Sequence, residues 1–240
     1  MSLFAILTEA FNFFRNHIRQ LAVLTLPFLL IQVAIQLWLG NEMIQADVEN
    51  PQFGAIHAAA MMALLLVFSF LIAALTLFLE LRSQGHELAS AQILKASFPF
   101  VPPLLLAGVF SGLAILAPVM IFAAFGPLWL IGLAMSMYLF ARLAYVNFMV
   151  VVERLTPFEA IKSSFRFSGP ITLKTIAVLM LYVPLSLIAS TFAQVAMQVG
   201  FPLQLVVEAS FSFLGLFVNI ALFRLYMVNR DTKDASNTKG

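Results

Sequence analysis

Three arginines recur near the ends of similar apolar segments. Arg82 lies in LFLELRS, Arg142 in YLFARLAY and Arg224 in LFRLYM. A guanidinium group forms paired hydrogen bonds with phosphate oxygens, so these side chains suit an anionic lipid headgroup. Arginine at the end of a membrane span also anchors that span by reaching toward the headgroups. Both interpretations stay open here. Lys162 and Arg166 lie on a predicted surface helix, and they are further candidate contacts for the headgroup.

The residue patterns of known catalytic and metal sites do not occur. His86-Glu87 begins like the helix of a zinc protease, but Ser90 stands where the second histidine is needed. The chain has no cysteine, which excludes thiolate chemistry. The glycine-rich strings of phosphate loops, hydrolases and dinucleotide folds are absent from the sequence. We therefore expect no catalytic residue, no metal ligand, no cofactor and no enzymatic activity.

The composition is that of a membrane protein. Of 240 residues, 62% are apolar and 10% are charged, and the mean hydropathy is +1.00. A membrane-spanning helix needs about 20 apolar residues. Six stretches reach this length: 21–39, 55–79, 101–123, 127–146, 175–197 and 203–223. We predict an all-α polytopic bundle in which residues 1–228 form one integral membrane domain and residues 229–240 a disordered cytoplasmic tail.

The basic residues are segregated to one side of the predicted spans. All 13 lysines and arginines lie near the two termini or in and around the loops after the second and fourth spans, and the other three loops carry none. Because cytoplasmic loops are enriched in lysine and arginine, we predict that both termini are cytoplasmic. This topology already explains the pI near 9.1, so the basic residues do not indicate nucleic-acid binding.

Three short amphipathic segments share a Phe-x-Phe sequence, and each precedes a pair of spans. The sequences begin at Phe11, Phe98 and Phe165. Cations and aromatic residues on one short helix are typical of a helix lying in the membrane interface. We predict interfacial helices at 3–14, 90–98 and 157–167. The bundle then consists of three repeats of an interfacial helix and a helical hairpin, arranged about a pseudo-threefold axis.

The third of these segments has the clearest helix start. Thr156-Pro157-Phe158-Glu159 has the form of a capping box with proline at the first helical position. Helical spacing then places Phe158, Ile161 and Phe165 on one face, which we expect to lie against the membrane.

Some polar and small residues inside the spans also suggest contacts. Gly108-x-x-x-Gly112 predicts close helix packing, either within the bundle or between protomers, and Asn219 predicts an interhelical hydrogen bond. Glu208, near the start of the last span, has either a structural role at the helix terminus or a role with a coupling ion. Four glutamines in the same half of the spans either line a polar vestibule or are solvated at the interface: Gln32, Gln36, Gln194 and Gln198.

Two sequences connect the chain to known families. NFFRN (12–16) and LFRLYM (222–227), with the six-span layout, resemble the YciC-like family, an uncharacterised family of bacterial inner-membrane proteins. RLAYVNFMVVVERLTPFEAIKSSFRF (142–167) is more distantly similar to the membrane domain attached to some glycerophosphodiester phosphodiesterases, although Asn147 stands where that domain has proline. The resemblance implies the bacterial inner membrane and a link to envelope lipids, and it transfers no catalytic residue.

These observations leave three classes of function. The first is a non-enzymatic inner-membrane protein that binds or organises phospholipid, with Arg142 and Arg224 facing a common cavity at the inner leaflet. The second is a transporter or channel for a small or lipidic solute, which broken spans would favour. The third is a lipid-modifying enzyme. Expected partners are membrane lipids, with a homo-oligomer or another inner-membrane protein as open alternatives.

Overall fold

The computed structural model describes the backbone of residues 2–45 and 54–237 and the side chains of residues 2–44 and 54–230. Within these ranges the chain is helical and contains no strand. The α-helices, in chain order, are α1 (Leu3–Gln45), α2 (Ala55–Ser83), α3 (Ser90–Ser97), α4 (Val101–Ala123), α5 (Trp129–Leu143), α6 (Val146–Val152), α7 (Pro157–Ser168), α8 (Thr172–Leu179), α9 (Tyr182–Val199) and α10 (Phe201–Asn237).

Six helical stretches are long and apolar enough to cross a membrane, which confirms the predicted all-α fold of six spans. They are Leu3–Ile44, Ala55–Ser83, Ser90–Ala123, Gly126–Val152, Pro157–Val199 and Phe201–Arg230. The fourth stretch contains a turn between α5 and α6, and the fifth contains a turn between α8 and α9. The chain is therefore that of a multi-pass membrane protein with two interrupted spans.

Proline accounts for the interruption of the fifth span. The backbone turns at Met180 and Leu181, and the amide of Val183 bonds to the carbonyl of Met180 at 3.1 Å. Pro184 has no N–H to bond the carbonyl four residues earlier, and its ring clashes with that carbonyl. The helix is thereby interrupted at Met180 and Leu181, directly before α9 begins.

The short amphipathic segments behave differently from one another. The predicted helices 90–98 and 157–167 correspond to α3 and α7, each followed by a single 3₁₀ turn. The predicted helix 3–14 is not a separate element, because α1 runs without a break from Leu3 to Gln45. Proline follows the Phe-x-Phe sequence within three residues in the second and third segments (Pro102 and Pro170), whereas the first proline of α1 is Pro27. The three-repeat organisation stays a prediction.

The C-terminal segment also differs from expectation. We predicted disorder from residue 229, but α10 continues as helix to Asn237, and residues 238–240 lie outside the described range. Residues 225–237 contain neither glycine nor proline, so nothing in the sequence ends the helix there. Upstream of this extension α10 packs along α1, where Phe14 and Phe213 approach with ring centroids 5.4 Å apart.

An aromatic cluster lies in the core at the basic end of the bundle, which we define by Arg82, Arg142 and Arg224. Five aromatic rings from the turn after α5 and from α6, α7 and α10 meet there with centroid separations of 5.0 to 6.4 Å, and they belong to Tyr145, Phe148, Phe167, Phe223 and Tyr226. The Tyr145 hydroxyl lies 2.5 Å from the hydroxyl of Thr175, and the Tyr226 hydroxyl donates to Glu153. These polar atoms are thus satisfied in a buried site.

Candidate functional site

The first candidate site is a pocket at the basic end, between α1, α2 and α10. It has a volume of about 340 Å³, and its lining includes Arg82, Arg224, Glu9, His17 and Asn12. The two arginines come from helices far apart in sequence. The fold therefore brings together two of the three recurring arginines.

Each of these arginines also has a carboxylate partner. Arg224 donates from Nε to Glu9, and both side chains are more than 40% exposed. Arg82 donates from Nη1 to Glu87 at 2.5 Å and from Nη2 to Gln20 at 2.6 Å. The Arg82 side chain is only 16% exposed, so it is held more rigidly than Arg224.

A second hollow of about 500 Å³ adjoins the pocket and shares His17 and Arg82 with it. It adds Arg19 and Glu87 to the charged lining. We call the two hollows together the basic recess. Its lining carries three arginines and two glutamates, which leaves one net positive charge when His17 is neutral.

His17 supplies a further polar group in the basic recess. Its Nδ1 atom lies 3.0 Å from the carbonyl oxygen of Phe13, and a carbonyl only accepts, so Nδ1 is the donor. The ring stacks on Phe13 with a centroid distance of 4.4 Å and meets Phe78 edge-on. In the neutral ring Nε2 is then left as an acceptor at the recess.

Arg142 has a different role in the structure. Its Nη2 donates to the carbonyl of Phe165 at 2.5 Å, and its guanidinium carbon lies 5.2 Å from the centroid of the Phe165 ring. In return, the carbonyl of Arg142 accepts a hydrogen bond from Ser164 at 2.7 Å and lies 3.1 Å from the hydroxyl of Ser168, which shares its proton with the carbonyl of Ser164 at 2.7 Å. These reciprocal bonds fasten α7 to the end of α5. Arg142 thus serves as an interhelical clamp.

The arginines are therefore grouped differently from our expectation. Arg82, not Arg142, shares a pocket with Arg224. Lys162 and Arg166 are exposed on α7 and do not line the basic recess. They remain candidate contacts for headgroups at the surface of the bundle.

α7 packs against the bundle through a face that we did not predict. Ala160, Ser164, Phe167 and Ser168 are buried on it, whereas Phe158, on the face expected to lie against the membrane, is 66% exposed. Two serines face inward because the Arg142 carbonyl requires donors where α5 ends.

The second candidate site is a larger cavity of about 600 Å³ inside the spans, toward the end opposite the basic residues. We call it the large cavity. Leu29 and Gln32 of α1 and three apolar residues of α2 form one wall. The other wall comes from α9 and α10. Ser186 and Gln194 are exposed although they line it, so the cavity opens at the surface of the bundle.

Two polar stripes face each other across the large cavity. Tyr182, Ser186, Ser190 and Gln194 repeat every four residues on α9, and Glu208, Ser212, Gly215 and Asn219 follow helical spacing on α10. At the basic side of the cavity Asn219 donates to the Tyr182 hydroxyl at 2.9 Å, which is an interhelical hydrogen bond of the expected kind. Gln36 and Gln198 are not among the lining residues. We did not predict this polar lining, although the four-residue spacing of the polar residues on α9 indicates it.

The expected glycine packing occurs elsewhere. A Cβ added at Gly108 or Gly112 would meet nothing within 4 Å, so these residues do not pack within the described part of the chain. Gly132 of α5 instead lies against Pro118, and Ser136 donates to the carbonyl of Ile115 at 2.5 Å. The close-packing pair of small residues is therefore Gly132-x-x-x-Ser136.

No group of three or more metal-ligating side chains occurs among the described residues. The chain matches no protein-family model, no curated protein and no solved structure. The resemblance to the YciC-like family therefore stays a prediction.

Proposed function

We propose that the protein is a non-enzymatic multi-pass protein of the bacterial inner membrane that binds a phospholipid headgroup in the basic recess, with the basic end toward the cytoplasm. The observation that carries this proposal is that Arg82 and Arg224, from separate helices, line one pocket with a net positive charge. A phosphodiester carries one negative charge and accepts hydrogen bonds from guanidinium groups.

The existing ion pairs do not prevent such binding. The Arg224–Glu9 pair is more than 40% exposed on both sides, and exposed ion pairs contribute about 0–1 kcal/mol. A phosphate can therefore take over part of the Arg224 guanidinium at small cost. Apolar residues of the same pocket, Phe13, Ile220 and Phe223, provide a surface for the glycerol and the first acyl carbons.

Native mass spectrometry in a mild detergent tests the proposal. We expect the wild-type protein to retain a phospholipid, and the Arg82→Gln/Arg224→Gln variant to lose it. Each hydrogen bond to a charged group contributes about 1.5–3 kcal/mol, so two such losses weaken binding about a hundredfold or more. The matched control is Lys162→Gln/Arg166→Gln, which removes the same charge at the same end but outside the recess.

The control should retain as much lipid as the wild type. Equal retention by all three proteins, with equal thermal stability, would refute a headgroup site in the basic recess. Loss of lipid in both variants would indicate attraction by the general charge of this end.

A transporter is the second candidate, and the interrupted fifth span favours it. The turn at Met180 and Leu181 lies directly beside Tyr182, which lines the large cavity. Broken helices beside an intramembrane cavity are common in transporters.

Since the chain lacks cysteine, Ser212→Cys gives a single thiol in this cavity. Alternating access requires that an impermeant maleimide labels it in both right-side-out and inside-out vesicles. Labelling from one side only would remove this candidate.

A further inference from the structure

We propose that the large cavity is a binding site for an amphipathic organic cation, a primary ammonium group carrying an apolar body, with Glu208 as its counter-charge. This site is separate from the basic recess and does not depend on the phospholipid proposal.

The charge of the lining selects the sign of the ligand. Glu208 is the one charged side chain among the described residues that line the cavity, and the loops at this end of the spans carry no lysine or arginine. An acidic side chain within a membrane span is costly unless it is paired, protonated or in contact with water. A cationic ligand would satisfy Glu208 without any further basic residue.

Several acceptors in the cavity are free to take a hydrogen bond from a ligand. One oxygen of Glu208 accepts a hydrogen bond from Gln204 at 2.9 Å, and no described residue donates to the other. The Oε1 atom of Gln32 is buried and accepts no hydrogen bond from the described residues. The hydroxyls of Ser186 and Ser190 already donate to backbone carbonyls and retain only acceptor capacity. An ammonium group offers three donors and no acceptor, which complements this set.

The remaining wall fits an apolar body. Phe68, Leu71, Ile72 and Leu185 line the cavity, and so does Phe211, three residues after Glu208 on α10, where an aromatic ring suits a cation–π contact. The volume of about 600 Å³ lies within the range of sites that enclose small amphipathic ligands. A phospholipid phosphate, by contrast, would meet the like charge of Glu208 without a lysine or arginine in the described lining to offset it.

The experiment compares three probes that share one apolar body and differ in charge. They are 4-phenylbutylammonium, 4-phenylbutan-1-ol and 4-phenylbutyrate, and binding is measured by equilibrium dialysis against the protein in nanodiscs, with protein-free nanodiscs subtracted. For the wild type we expect the ammonium probe to bind at least about tenfold more tightly than the alcohol. A close pair of opposite charges at low effective dielectric contributes more free energy than a tenfold difference in affinity requires. The carboxylate probe should bind most weakly.

Three variants locate the effect. Glu208→Gln should remove the preference for the ammonium probe and leave the affinity for the alcohol unchanged. Glu42→Gln, which changes a carboxyl outside the cavity lining, should behave as the wild type. Ser212→Leu fills the cavity and should abolish binding of both probes, which keeps the test informative if Glu208→Gln does not fold.

Equal affinity for the ammonium probe and the alcohol in the wild type would overturn the proposal, and so would a preference for the ammonium that survives Glu208→Gln. Retention of phospholipid by the basic recess is measured separately, so failure of either proposal is recognised without reference to the other.

Discussion

Replacing Gly132 by alanine tests how α4 packs against α5. A Cβ built on Gly132 lies 2.6 Å from the carbonyl oxygen of Pro118 and 3.0 Å from the Cβ of Phe122. An ordinary carbon–oxygen contact begins near 3.4 Å, so the helices must separate locally by about 0.8 Å. The neighbouring bond from Ser136 to the Ile115 carbonyl is lengthened by the same movement.

The expected cost follows from overpacking. Inserting one carbon into a close-packed site costs about 1–3 kcal/mol, and each kcal/mol changes Tm by about 2–4 °C in a chain of this size. We therefore expect Gly132→Ala to lower Tm by about 2–12 °C. Gly112→Ala is the matched control, because its Cβ meets nothing within 4 Å and alanine is favoured over glycine in a helix by about 0.5–1 kcal/mol. It should leave Tm unchanged or raise it by a few degrees.

Thermal unfolding of the purified protein in detergent, followed by circular dichroism, gives both values. Opposite signs for the two variants would support the assignment of the packing face to Gly132. An unchanged Tm for Gly132→Ala would refute the argument. A large decrease for Gly112→Ala would show that the glycine pair packs after all, and a change in oligomeric state with unchanged Tm would locate that packing between protomers.

Three further predictions concern topology and interhelical bonds. Fused after the last residue, green fluorescent protein should fluoresce and alkaline phosphatase should be inactive, whereas an active phosphatase would reverse the predicted orientation. A double-mutant cycle of Asn219→Leu and Tyr182→Phe should give a coupling energy of about 0.6 kcal/mol in unfolding experiments, and strictly additive effects would contradict a direct bond. Ser164→Ala with Ser168→Ala removes both donors from the carbonyl of Arg142 and should cost about 1–3 kcal/mol. Each single variant should cost less, because the other serine remains, and equal single and double effects would argue against a shared acceptor.

The spans and two short helices were predictable from the sequence because each depends on local properties. Apolar length marked the six spans, and proline occurs where α4 and α7 start and in the turn before α5. The same rule, applied to the first segment, would have predicted the continuous α1, since no proline or glycine separates residues 3–26. The error came from assuming that similar segments must have equal structures.

The contacts between helices were not predictable in this way, because they depend on how each helix is rotated about its axis. Ser164 and Ser168 are polar, and their hydrogen bonds to the carbonyl of Arg142 explain why they are buried. Gly108 and Gly112 match a packing motif, yet they lie on a face of α4 where an added Cβ would meet no described residue within 4 Å. A single sequence gives no information on which small residues meet a neighbouring helix.

Glu208 and Arg224 lie on the same helix, and their separation decides whether the two proposed sites are independent. Sixteen residues of α-helix correspond to about 24 Å, which no single headgroup can bridge. Glu208→Gln should therefore leave phospholipid retention unchanged, and Arg224→Gln should leave ammonium binding unchanged. Coupling between them would need a structural change that moves α10 or α9 relative to α1. If either variant altered binding at the other site, that coupling would favour the transporter over a static lipid-binding protein.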